Sequence, residues 1–149
     1  MPEATPEFKR WLREAFETLH VGQTFAFRRT FTDGDVALFC GVTGDYNPYH
    51  QDEAFARESW YGRLTIPGLL TGSMLTHIGG LLGFLATEMS FEYLAPVFVG
   101  DTITCTVTIA EKDEEKRHVK AATTFVNQDN VEVLRASFKG FPGRVRLAS

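Results

Sequence analysis

From Pro67 to Thr87 the chain carries no Asp, Glu, Lys or Arg, and that stretch most restricts what the rest can fold into. Pro67 suits a first helical turn, where an amide hydrogen has no partner anyway. The length invites a membrane span, and Gly79 and Gly83 supply a small-xxx-small pair. Against this, Gly68, Gly72, Gly79, Gly80 and Gly83, with Thr71, Ser73, Thr76 and His77, keep the apolar drive low. No second span or basic flank accompanies it. A helix apolar all round in a water-borne protein is wrapped by other elements, and its glycines let a sheet approach closely.

That sheet follows at once. Met89, Phe91 and Tyr93 alternate with Ser90 and Glu92, and Pro96 to Asp101 close the strand with a turn. Ile103, Cys105, Val107 and Ile109 then alternate with threonines, the period of a half-buried strand. The charged run Glu111 to Arg117 reads as a solvated hairpin loop. Val119 to Phe125 and Val131 to Phe138 give two more strands, with a turn at Asn127 to Asn130 and a loose tail from Pro142. Upstream, Phe8, Trp11, Leu12, Ala15, Phe16 and Leu19 carry helical spacing, and His20 falls where a cation favours the helix end. Phe25 to Phe31 alternate as a first strand. Thr32 or Asp33 offers an N-cap for a helix through Phe39 to Val42, and a short helix runs from near Asp52 to Glu58. The order implies an α+β domain at 21–149, a curved antiparallel sheet around one central helix, preceded by an N-terminal helix at 1–20. Such a sheet leaves an edge strand uncovered, and pairing two copies edge to edge covers it, so a homodimer is expected.

The chain has 149 residues and a net charge of -4 with a pI near 5.5, a balance that argues against nucleic acid or an anionic membrane as main partner. Cys40 and Cys105 lie in apolar-periodic segments and read as buried reduced thiols. No basic-then-apolar leader opens the sequence, which makes the cytoplasm the expected compartment. No loop cradles phosphate, since Gly79-Gly80-Leu81-Leu82-Gly83 falls within helical periodicity. No cofactor is expected.

The chemistry concentrates in Gly44-Asp45-Tyr46-Asn47-Pro48-Tyr49-His50. Gly-Asp and Asn-Pro are turn formers, so Asp45 and Asn47 are open to a structural role. Turns do not ask for histidine, however, and an imidazole beside a carboxylate is a proton-transfer pair. A calcium loop is excluded because His50 stands where glycine is needed and Ala56 where the bidentate glutamate belongs. Zinc lacks a third ligand. Ser73 and Thr76 have no nucleophile-elbow context and remain candidate supporting hydroxyls. His77 reads as a satisfied core histidine and His118 as an exposed strand residue. At the start of the long helix the Gly68 and Leu69 amides are orphaned and able to polarise a carbonyl oxygen. Together these parts suit addition of water to an α,β-unsaturated carbonyl, or its reversal.

The segment Gly44 to His50 resembles the signature of the MaoC-like, (R)-specific enoyl-CoA hydratases of the hot-dog fold. Phe31-Thr32-Asp33-Gly34-Asp35-Val36 and Pro96-Val97-Phe98-Val99-Gly100-Asp101 resemble that family's flanking patterns. The resemblance spans about 22–140 and implies a trans-2-enoyl and 3-hydroxyacyl thioester pair carried by coenzyme A or acyl carrier protein. It implies Asp45 and His50 as the acid–base pair holding the water, Asn47 as support for the turn, and the Gly68 amide on the thioester oxygen. Addition is then syn, with the acyl chain along the glycine-bearing helix. The family usually has His-Gly-Met where this chain has Pro67-Gly68-Leu69. That loss keeps a second function in view, an acyl-thioester binder or accessory dehydratase subunit. A hot-dog thioesterase fits less well, because the central helix carries no carboxylate. Arg63, Lys139, Arg144 and Arg146 are candidates for coenzyme A phosphates by charge alone.

Overall fold

The structure, a computed structural model, describes residues 3–143; Arg144, Arg146 and most of the tail lie outside them. Helix α1, Pro6–Thr18, starts at Thr5, whose hydroxyl accepts from the Phe8 N–H. It lays Leu12, Ala15 and Phe16 into the interior. The Phe16 ring sits under Lys112 and Arg117, and Arg117 pairs with Glu17 at 2.7 Å. Helix α1 therefore clamps the far end of the strand pair that carries those two cations. The helix stops at the Leu19 cap, so His20 lies just beyond it, its backbone N–H on Gln23 Oε1.

Strand β1, Thr24–Thr30, leads into α2, Asp33–Thr43. The start of α2 is a full capping box: Thr32 Oγ1 accepts from the Asp35 N–H, and Asp35 accepts from the Thr32 N–H. Two short helices follow, α3 at Pro48–Gln51 and α4 at Glu53–Glu58.

The expected long helix is a correction. It is two pieces, α5 at Gly68–Gly72 and α6 at Leu75–Leu82. The break has a local cause, since Ser73 Oγ donates to Leu70 O and Thr76 Oγ1 to Ser73 O, both at 2.6 Å. Such back-bonding competes with the helix ladder. Gly83, at φ +56, ends α6 in the left-handed conformation, and the Phe84 N–H reaches back to Gly79 O at 2.8 Å. Residues 85–87 are already strand. No described helix is long and apolar enough to cross a membrane.

Strands β2 (Leu85–Tyr93), β3 (Thr102–Asp113), β4 (His118–Val126) and β5 (Glu132–Phe141) complete an antiparallel sheet in the order β1-β3-β4-β5-β2. The charged segment is shorter as a loop than expected, because Glu111 to Asp113 pair with Lys120 to His118 and only residues 114–117 turn. The inward faces of β3 and β4 bury Ile103, Cys105, Val107, Ile109, Val119, Ala121 and Phe125 against Met74, Leu75, Ile78 and Leu82. This curved sheet over a central helical rod is the α+β hot-dog arrangement. The glycines act as expected at two places. A Cβ at Gly68 would meet the Tyr93 ring, and one at Gly72 the Phe91 ring, so α5 lies directly on the aromatic side chains of β2.

Candidate active site

A run of short-range bonds shapes the segment between α2 and α4. Gly44, at φ +74, closes α2 with its N–H on Cys40 O at 2.8 Å. The Asp45 N–H meets Thr43 Oγ1, and Asp45 Oδ1 in turn accepts from the Asn47 N–H, each at 3.2 Å. Asn47 then caps α3, its Oδ1 accepting from the Tyr49 N–H. Asn47 thus holds the turn, and Pro48 occupies the first helical position. One helical turn later His50 points back toward Asp45.

The two side chains meet as the spacing suggested. His50 Nε2 stands 3.8 Å from Asp45 Oδ2, with the imidazole 13% and the carboxylate 43% exposed. That gap exceeds a hydrogen bond and admits a single bridging water. The other ring nitrogen, Nδ1, lies 2.8 Å from Thr65 O. A carbonyl can only accept, so Nδ1 carries the hydrogen, and in the neutral ring Nε2 presents its lone pair to Asp45. Thr65 is itself fixed, its N–H on Tyr49 O at 2.9 Å, with an isolated bridge to Phe98. The sequence carried no sign of Thr65, because the group that matters is a backbone carbonyl fifteen positions from the ring it orients.

Two adjoining cavities flank the pair. One, of about 520 Å³, is lined by His50, Tyr49, Tyr61, Thr71 and the loop residues Leu94 to Val97. The other, of about 420 Å³, is lined by Asp45, Phe39, Thr43, Pro67 and Leu69. Gly68 and Tyr93 line both. Among the described residues, neither the Gly68 nor the Leu69 N–H has a protein acceptor, while Leu70 and Thr71 N–H both turn back to Pro67 O. Burial raises the Tyr93 phenol above its usual value. Thr71, 2% exposed, has no partner for its hydroxyl among the described residues and lies beside the larger cavity.

Other expected residues fall elsewhere. Ser73 and Thr76 line neither of these cavities and donate their hydroxyls to helix carbonyls. Thr76 instead lines a separate, more apolar cavity of about 360 Å³ with Gly79, Gly83, Met89 and Phe138. His77 is not a core residue: it is exposed and stacks on Phe27 with centroids 3.9 Å apart. Helix α6 buries Leu75, Ile78 and Leu82 along one side, and His77 lies off that side. His118 is in a strand but half-buried, edge-on to Phe141. Lys139 is engaged by Glu88 at 2.7 Å, whereas Arg63 lies over the Phe98 ring at 3.8 Å. The flanking motifs are structural. Arg29 pairs with Asp35 of the capping box, and Asp101 accepts from the Phe98 N–H and the Gln128 amide.

Three comparisons bear on this geometry. The chain is 31% identical over 113 residues to an (R)-specific enoyl-CoA hydratase of Rhodospirillum rubrum, across 73% of this chain and 78% of that one. It is 32% identical over 120 residues to a 3-hydroxybutyryl-CoA dehydratase of Methylorubrum extorquens, covering 78% and 76%. Its fold is similar to that of the A. caviae (R)-hydratase involved in PHA biosynthesis, with a TM-score of 0.79 and 28% identity over 85% of this chain and 99% of that chain. The family model described as "MaoC like domain" matches residues 16–131, most of the chain and all of the Asp45–His50 turn, and the chain belongs to that MaoC-like family.

Proposed function

We propose that the protein interconverts a trans-2-enoyl thioester and its (R)-3-hydroxyacyl partner by adding or removing one water. A single observation carries this: His50 Nε2 and Asp45 Oδ2 face each other at 3.8 Å while Thr65 O holds the ring's other nitrogen. In the hydration direction, the water's oxygen bonds to C3 of the enoyl group and one of its protons passes to the Asp45/His50 pair. The C2–C3 π electrons move toward the thioester oxygen, where the unpartnered Gly68 N–H meets the developing charge. The pair then returns a proton to C2 on the same face, and only water is consumed. Pro67 stands where the family usually has a histidine that helps shape the thioester end, so here that end relies on the backbone donors of Gly68 and Leu69.

The protein acts as a homodimer in this proposal. Strand β2 is a sheet edge of nine residues, with Leu85, Met89 and Tyr93 exposed along it, and a second copy pairing there would cover it. Sedimentation as a monomer at micromolar concentration would contradict the dimer.

Loss of enoyl absorbance with crotonyl-CoA tests the reaction. Asp45→Asn and His50→Asn should each lower turnover about 10²–10⁴-fold, the usual worth of a positioned acid or base. Full activity in either variant removes that residue from the mechanism. Release of free thiol instead of hydration would mark a thioesterase, and tight acyl-CoA binding without turnover a binding subunit.

A further inference from the structure

The turn that follows α4 has no structural reason to look as it does. Trp60 is 96% exposed, an unusual position for the largest apolar side chain. The turn presenting it is nonetheless firmly tied. The Gly62 N–H bonds to Ser59 O at 3.1 Å with Gly62 at φ +72. Ser59 Oγ donates to Ala56 O at 2.7 Å and accepts from the Tyr61 N–H at 3.3 Å. The tied turn fixes the backbone that carries the indole and leaves both ring faces open to a stacking partner.

The turn also reaches the site. Tyr61 packs edge-on against Tyr49 at 5.7 Å and 77°, and both line the His50 cavity. Directly after the turn, Arg63 is exposed, is held over Phe98, and among the described residues has no carboxylate within ion-pairing distance. Among the described residues Arg57, on the last turn of α4, pairs only with Glu53, at 3.6 Å and largely in solvent. Arg57 and Arg63 thus lie three positions to either side of a bare indole, with Glu58 also on the segment, and Tyr61 ties that segment to the rim of the cavity.

We propose that the Ser59–Arg63 turn docks the nucleotide end of a coenzyme A thioester, with the adenine on the Trp60 face and the phosphates toward Arg63 and Arg57. This rests on the hydratase function above and names its carrier. Adenine stacks on an indole, and guanidiniums pair with phosphate oxygens. A carrier protein presents its pantetheine arm without adenine and leaves Trp60 nothing to stack on. The arm of a coenzyme A thioester docked here enters past Tyr61 toward His50.

The test compares crotonyl-CoA with crotonyl-pantetheine, which carries the same reacting atoms and no nucleotide. Stacking of a base is worth about 1–3 kcal/mol, so in Trp60→Ala the ratio of kcat/KM for the two substrates should fall about 5- to 150-fold. Arg63→Ala should lower the same ratio, less at high salt. An unchanged ratio in Trp60→Ala, whether both substrates suffer equally or neither does, overturns the proposal. If the wild type hydrates neither substrate, the hydratase function fails and the platform is judged by binding alone. Adenosine 3′,5′-bisphosphate should then quench wild-type tryptophan fluorescence and leave Trp60→Phe unaffected. The absence of quenching in the wild type, as when a second copy covers Trp60, also overturns the proposal.

Discussion

Replacing Gly68 with alanine separates the two things Gly68 supplies, an amide and an empty space. The amide stays. The new Cβ would lie 2.5 Å from Tyr93 Cε1, 3.0 Å from Cζ and 3.1 Å from Cδ1, against about 3.5–4.0 Å for comfortable carbon contacts. The Tyr93 ring must therefore retreat by roughly 1 Å. It stands on the edge strand β2 and is half in solvent, so its retreat costs about 1 kcal/mol, the low end for overpacking. Stability should barely move. Catalysis should move more, because that ring is the wall shared by the Asp45 and His50 cavities, and a misplacement of this size costs about 10²-fold in rate. The assay is crotonyl-CoA hydration by the wild type, Gly68→Ala, Tyr93→Ala and the double variant. If the wall is the cause, Gly68→Ala should matter little once Tyr93 is gone. The coupling energy should then approach about 2.7 kcal/mol, the equivalent of that 10²-fold loss and within the range for residues in contact. An equal loss in both backgrounds refutes the steric argument. Undiminished activity in Gly68→Ala itself would remove Gly68 from the neighbourhood of the substrate.

Two other outcomes follow from single groups. Thr71 buries a hydroxyl with no partner among the described residues, and such a group costs about 1–3 kcal/mol; Thr71→Val should therefore raise the urea midpoint by the equivalent of about 1 kcal/mol, and a lower midpoint would show that the hydroxyl is satisfied in solution. Asp35 titrates below its ordinary value of 3.8: burial, the largest influence, opposes this, but the Thr32 backbone and hydroxyl and the Arg29 guanidinium together outweigh it. A depressed carboxyl contributes stability above its unfolded value and loses it as pH falls through the folded one. The gap in urea midpoint between wild type and Asp35→Asn should thus be full near neutrality and close below pH 3.8, and a gap that persists in acid would contradict it.

What was legible in the sequence was what neighbours in the chain decide. The N-cap offered at Thr32 or Asp33, which the structure places at Thr32, the alternation of β3 and the Asp45–His50 turn are each built from contacts within a few residues. The helix boundary was not of that kind. Leu85, Ala86 and Thr87 carry no charge and continue an apolar run, so nothing in the local pattern marks a strand. Their pairing with β5, Leu85 to Phe141 and Ala86 to Gly140, decides the matter from far along the chain. His77 lies outside the core because α6 is buried on the side of Leu75, Ile78 and Leu82 alone, which an uncharged run read as apolar all round does not reveal. The Thr65 carbonyl that orients His50 has no side-chain signature at all.

One long-range relation could have been extracted from spacing alone. Gly68 and Gly72 are four apart on a helix, a rise of about 6 Å, and Phe91 and Tyr93 are two apart on a strand, about 6.6 Å. The steps match, and the contacts are Gly68 with Tyr93 and Gly72 with Phe91, so β2 runs opposite to α5 and its rings fill the two gaps that the glycines leave. The same register sets Tyr93 as the wall between the two cavities. A one-residue slip of β2 would turn Phe91 and Tyr93 to its other face and merge the Asp45 and His50 sides into one open groove. The Asp45–His50 turn is thus assembled locally, but the space beside it is fixed by how two glycines seat two aromatic rings.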